Sequence, residues 1–192
     1  MKKLVGIGLA AAISFGALSG CSLLEEKANG MVTYGNEKQI NRVIDLNNNN
    51  IKEKDTYKMK LATLEDKKVL VMDKKTGEKL VKKELVKKVE TDDTTKAIDK
   101  LPTVTAEQGV LFAKEKVENT TIDGIQLKYE GNIIIGDARS YADMFAIVDD
   151  TTYKKVNGEE KSVGVLKFDK DPKDIMMNVT KETEATQLVK IK

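Results

Sequence analysis

Fifteen uncharged residues, Leu4 to Leu18, built almost wholly from Leu, Val, Ile, Ala, Phe and Gly, constrain this chain more than any other feature. At ~1.5 Å per helical residue the run reaches roughly 22 Å, short of the ~30 Å hydrocarbon core of a bilayer. Lys2 and Lys3 stand before it and the small residues Ser19 and Gly20 behind it. That order reads as an export signal rather than a permanent span. A buried helix is the poorer reading, because nothing later in the chain needs a partner that is apolar on every side. The chain has 33 Lys and Arg against 31 Asp and Glu, a formal charge of +2, and the excess is Lys2 and Lys3. Without residues 1–20 the charge is zero, so the pI of about 8.4 belongs to the discarded segment. A neutral chain argues against nucleic-acid binding, which draws on cations facing phosphates.

Leu18-Ser19-Gly20-Cys21 resembles the lipobox of bacterial lipoproteins, Leu-[Ala/Ser]-[Gly/Ala]-Cys. The resemblance covers about residues 1–24. It implies cleavage between Gly20 and Cys21, a diacylglycerol group on the Cys21 sulfur and often a further acyl chain, such as palmitate, on the new amino group. Two or three chains at about 0.8 kcal/mol per buried methylene hold a protein firmly on a membrane. Cys21 is the only Cys, so once lipidated it leaves no thiol for a disulfide, thiol catalysis or a Cys-based metal site. Usage rich in Lys and Asn and poor in Arg and Trp resembles that of low-GC Gram-positive bacteria. There the anchor would sit on the outer face of the cell membrane. In a two-membrane cell Ser22, not being Asp, would favour the outer membrane. The chain is similar to small lipoproteins of unassigned function in such bacteria.

Behind the anchor, residues 21–36 read as a lipidated tether and 37–192 as an extracytoplasmic domain, with a subdivision near 91–102. Ile40, Val43 and Ile44 fall on one helical face, capped by Asn36 or Glu37 and ended by Asn47 to Asn50. Tyr57, Met59 and Leu61 alternate as a half-buried strand, and Val69 to Met72 form a short apolar one. Asp73 to Gly77 predict a turn, with a return strand within Leu80 to Val89; Val81, Leu85 and Val89 fit a helix as the alternative. Thr105 with Gln108 has the pattern of a capping box opening a helix to Val117. Ile125 to Tyr129, Ile133 to Ile135, Met144 to Val148 and Val163 to Phe168 read as strands. Ile133 to Ile135 run back after a turn at Glu130 to Asn132, and Asn157-Gly158 turns between the last two. Asp171-Pro172 opens a short helix through Met177, and Gln187 to Ile191 close as a strand. The expected fold is α+β, mainly antiparallel sheet with a few short helices, after a signal helix and a flexible tether.

Composition narrows the chemistry. No His is present to serve as base in a Ser-His pair, and no Ser begins a Ser-x-x-Lys motif. Thr76-Gly77-Glu78-Lys79 is not a phosphate-binding loop. Asp169, Asp171 and Asp174 lack the Gly and Glu of a calcium loop and fit a strand end and a helix cap better. Enzymatic activity, a metal and a cofactor beyond the covalent lipid are therefore not expected. Lys74, Lys75, Lys79, Lys82, Lys83, Lys87 and Lys88 concentrate positive charge in one segment. They are candidates for contact with anionic lipid or envelope polymer, against the plainer role of a solvated face that also guards an edge strand. Arg42 and Arg139 are the only arginines, so bidentate phosphate recognition is scarce.

The sequence thus points to a non-catalytic surface module binding a protein, peptide or envelope polymer, of undetermined oligomeric state. A ligand-capturing or transport lipoprotein with an apolar pocket is the first alternative. A second is a pheromone precursor, since Ala12 to Gly20 resembles the excised leader peptides that act as mating signals in some Gram-positive bacteria.

Overall fold

The computed structural model describes residues 27–91, 94–118 and 120–192. The expected signal helix, the cleavage site Gly20-Cys21 and the pheromone segment lie outside them. Within them the order is β1 (Gly30–Gly35), α1 (Glu37–Asn47), β2 (Ile51–Leu64), β3 (Lys67–Asp73), α2 (Lys74–Lys82), β4 (Val86–Thr91), β5 (Thr94–Ala97), β6 (Gln108–Ala113), β7 (Thr120–Ile122), β8 (Ile125–Tyr129), β9 (Ile133–Ile135), β10 (Met144–Val148), α3 (Asp150–Tyr153), β11 (Glu159–Phe168), α4 (Lys173–Glu182) and β12 (Ala185–Val189). Nine strands form one sheet, β12-β1-β11-β2-β3-β10-β6-β8-β7, and three form a second, β5-β4-β9. Only β3 with β10 and β6 with β8 pair in parallel. The fold is α+β and mainly antiparallel.

Apolar runs without alternation mark strands covered on both faces. Leu70, Met72, Val110, Phe112, Phe145 and Ile147 point into a core closed by α2 and the small sheet. Their neighbours Val69, Val71, Leu111, Ala113, Met144, Ala146 and Val148 point the other way, against Ile122, Ile125 and Leu127 of the β7–β8 hairpin. That hairpin turns on Asp123 (φ 49°) and Gly124 (φ +79°), the Asp-Gly pair that suits a two-residue loop. At the other end of the sheet, α1 and α4 cover Met31, Leu166 and Phe168. Asn36 and Gln39 close a reciprocal capping box at the start of α1.

Several expectations need correction. The segment 21–36 is not all tether: β1 occupies Gly30–Gly35, buried throughout between β12 and β11, so the domain begins before residue 37. Its two glycines gave it the look of a loop. Asp73 to Gly77 do not turn a hairpin. Asp73 accepts the Thr76 N–H at 2.7 Å and starts α2. Gly77 lies inside that helix, where a Cβ would stand 2.9 Å from both Ile147 and Leu101, so glycine allows the helix to approach the sheet. The helical alternative for Val81 was the right one for the first part of the segment; strand begins only at Val86.

The helix expected from Thr105 is a strand. Thr105 does accept the Gln108 N–H at 3.1 Å, but its own N–H donates to the Gln108 carbonyl at 2.9 Å, closing a turn that leads into β6. Residues 91–102 do not divide the domain, because β5 pairs with β4, and Val86, Val104 and Ile135 share one core cluster. Strand β9 does not run back along β8. Gly131, at φ +109°, diverts the chain to pair with β4. Asn157-Gly158 lies between β10 and β11 as expected, after α3, and β11 takes its place between β1 and β2. Helix α4 runs past Met177 to Glu182, with Asp171 accepting the Lys173 N–H at 3.0 Å. Asp92-Asp93 lie outside the described residues.

Gly109 supplies a test of this architecture. In β6 a Cβ would stand 2.8 Å from the Ile147 carbonyl oxygen and 2.9 Å from the Leu127 and Val148 side chains. Gly109→Ala is expected to cost about 1–3 kcal/mol through overpacking, read as a lower urea midpoint with unchanged slope. An unchanged midpoint would refute this packing.

Candidate functional site

The Lys-rich segment starts on α2 and ends on β4, and most of its charge is spent inside the molecule. Lys75 reaches Asp150 at 2.8 Å, Lys83 reaches Asp55 at 2.9 Å, and Lys87 meets Asp137. The Lys79 ammonium lies 5.9 Å from the centre of the Tyr57 ring. Among the described residues, no carboxylate lies within ion-pair range of Lys74, Lys82 or Lys88. The seven lysines therefore do not form one unpaired basic patch. Buried Thr76, Gly77 and Leu80 hold one side of α2 to the core, which turns Lys75, Lys79 and Lys82 outward.

A groove of about 400 Å³ runs between α2 and the loop 99–104. Val81, Leu101, Pro102 and Val104 give it an apolar floor, and Lys74, Lys82 and Lys100 face Glu78 and Asp99 at its rim. The expected subdivision near 91–102 hides it in the sequence, because it separates residues 99–102 from the α2 segment they face. Pro102 next to Leu101 and Val104 was the available signal.

The two arginines are also committed internally. Arg139 donates to the Asn132 side chain at 2.9 Å and to the carbonyls of Ile133 and Asp143 at 2.9 and 3.0 Å. Arg42 pairs with Glu182 at 2.7 Å, joining α1 to α4.

A polar network crosses the sheet beside Arg139. Gln187 donates to the Tyr34 hydroxyl at 3.1 Å and to the Ile135 carbonyl at 2.9 Å, and its oxygen accepts the N–H groups of Asp137 and Ala138. Tyr34 stacks on Tyr141 with centroids 4.6 Å apart, and Tyr141 donates to Glu184 at 2.7 Å. Glu184 also accepts from Lys161, which is 6% exposed and bridges to Glu159 at 2.7 Å. Burial pushes both phenols well above the usual tyrosine range; for Tyr141 the hydrogen bond to Glu184 adds to it. They stay protonated at neutral pH, so the network fixes loop 136–143 and offers no phenolic base. Asp149 caps α3, whereas the N-cap of α4 is Pro172 and not Asp171, which accepts the Lys173 N–H from one residue further back. Among the described residues no group of three or more carboxylates, His or Cys is placed to hold a metal.

Glu184 gives the network a pH signature. Burial works against its charge, but hydrogen bonds from Lys161 and Tyr141 outweigh it and hold the carboxyl below the usual range. A carboxyl whose folded pKa is lowered stabilises above its unfolded value of 4.5, and this is lost as pH falls through the lowered folded value. Glu184→Gln is expected to be less stable at pH 7 by about 1 kcal/mol, a figure discounted for partial exposure. The difference from the parent should narrow below pH 4.5, measured by urea titration across pH; a constant difference would refute the assignment.

A family model described as an uncharacterised lipoprotein family matches residues 28–192. No curated protein matches. A 1.5 Å crystal structure of a candidate lipoprotein from Bacillus anthracis is 38% identical with a TM-score of 0.83, covering 86% of this chain and 100% of that one. Among the described residues no helix is long and apolar enough to cross a membrane. By the span of the family match and the identity to the solved structure, the chain belongs to this uncharacterised family of bacterial lipoproteins.

Proposed function

We propose that the protein is a non-catalytic binding module, held on the outer face of the cell membrane by lipid on Cys21, that takes a peptide or protein segment into the groove between α2 and loop 99–104. The groove is the observation that carries the reading. Its floor is apolar, its rim bears both signs of charge, and among the described residues no carboxylate lies within ion-pair range of Lys74 or Lys82. Such a surface suits an extended segment that offers apolar side chains to the floor and an acidic group to the rim ammoniums. Lining of this kind also favours partner binding over capture of an apolar small molecule, which calls for an enclosed and mostly apolar cavity.

Two measurements test this. A photo-crosslinking residue placed at Val81 in intact cells should give a discrete adduct, weakened about tenfold by Lys82→Glu with Lys100→Glu, as expected for about 1.4 kcal/mol lost at the rim. An adduct pattern no different from the same label at Lys155 would sink the groove as a binding site. For the anchor, Cys21→Ser should abolish lipid labelling and leave precursor or shed protein. Unchanged membrane retention of that variant would overturn the anchoring.

A further inference from the structure

Among the described residues, two large apolar side chains stand exposed: Leu46 at 64% and Met177 at 71%. Both belong to the helix layer of α1 and α4, which Arg42–Glu182 ties together. The chain path places this layer beside the exit toward Cys21. Strand β1 starts at Gly30, and α1 returns from its far end, so Leu46 in the last turn of α1 comes back to the level where β1 began. Hydrogen bonds confirm that end. Phe168 N–H donates to the Asn29 carbonyl at 2.8 Å, Asp169 N–H to the Asn50 carbonyl at 3.2 Å, and Ile191 N–H to the Asn29 side chain at 2.7 Å. Helix α4 then starts at Lys173, a few residues beyond Asp169.

We infer that this corner of the helix layer rests on the lipid bilayer, with Leu46 and Met177 entering the headgroup region. The inference depends on Cys21 being the lipid attachment point. Lys27 follows Cys21 by six residue steps, which at ~3.6 Å per fully extended residue span at most roughly 22 Å. The helix layer is therefore confined near the surface whatever path those residues take, and confinement makes even a weak apolar contact effective. Exposed Lys52, Lys170 and Lys173 stand at the same end, where their stems can lie along apolar surface with ammoniums at headgroup level. Asp169, Asp171 and Asp174 are there too, so the contact is led by the apolar pair and needs no anionic lipid. A soluble partner chemistry is less favoured, because the tether brings a membrane to this corner without any encounter step.

The test uses the acylated full-length protein in neutral phosphatidylcholine vesicles. With Cys21 acylated, Leu46→Cys, Met177→Cys and the control Lys155→Cys each carry one free thiol for an environment-sensitive fluorophore. Lys155 precedes Glu159 at the opposite end of β11, ten residues or ~30 Å from Phe168. Labels at 46 and 177 should shift to the blue and be quenched about twofold or more by lipids with doxyl groups near the headgroup, while the label at 155 is not. Protein that floats with the vesicles but shows all three labels equally unquenched overturns the docking and leaves the anchor intact. A blue shift without doxyl quenching assigns the corner to a second copy or another protein and also overturns it. Protein that fails to float and carries no diacylglycerol by mass spectrometry removes the anchor, and the docking with it.

Discussion

The large sheet depends on where its first strand goes. β1 is not an edge: it is hydrogen-bonded on one side to β11 over six residues and on the other to β12 over five. The chain must therefore complete its last two strands before the first has both neighbours. The parts of the sheet that form from near neighbours, such as β2 with β3 and β7 with β8, do not need this closure. The helix layer does, because Met31 of β1, Leu166 and Phe168 of β11 and Val179 of α4 share one cluster. The Tyr34–Gln187 bond sits across the same β1–β12 seam, with a buried amide using both its donors and its acceptor. Leaving any of those groups unpaired in the core would cost about 1–3 kcal/mol each, so the seam is specific as well as apolar.

What could be read from the residues divides along locality. Asn36-x-x-Gln39 before Ile40, Val43 and Ile44 carries its helix within three turns, and the structure has α1 there. Met144 to Val148 and Val69 to Met72 are strands because both faces are covered, and an unbroken apolar run says so. Errors arose where the same local chemistry serves two ends. Asp73 and Thr76 make a cap or a turn equally well; only the packing of Leu80 and Gly77 against β10 decides for the helix. Thr105 and Gln108 bond as a cap would, yet burial of Val110 and Phe112 on one face and Leu111 on the other requires a strand. Strand β1 was hidden because its partners lie more than 120 residues away.

The candidate site was legible only as an excess of lysine. Spacing along the chain could not show that Lys75, Lys83 and Lys87 would find Asp150, Asp55 and Asp137, which come from α3, β2 and the loop after β9. Nor could it show that residues 99–104, polar and interrupted by Pro102, would face α2 across a groove. A chain with 33 basic and 31 acidic residues leaves little charge free once such pairs form. Each exposed pair contributes about 0–1 kcal/mol to stability, so the pairs matter here less for folding than for what they remove from the surface.

The groove and the corner proposed to meet the bilayer are linked through α2. Its C-terminal end reaches Lys83, which pairs with Asp55 and Glu53 near the start of β2 and whose carbonyl accepts the Lys192 N–H at 3.4 Å. Ile191 is hydrogen-bonded to Asn29, from which the chain runs back in sequence toward Cys21. The end of the groove at Val81 and Lys82 therefore lies nearer the Asn29 end of the domain than the end at Lys74 does. For a domain resting on its helix layer, a partner running the length of the groove would pass from close to the headgroups outward into the envelope. A partner that is itself membrane-bound meets this arrangement with the least loss of freedom, since both molecules are already restricted to the same surface before they touch.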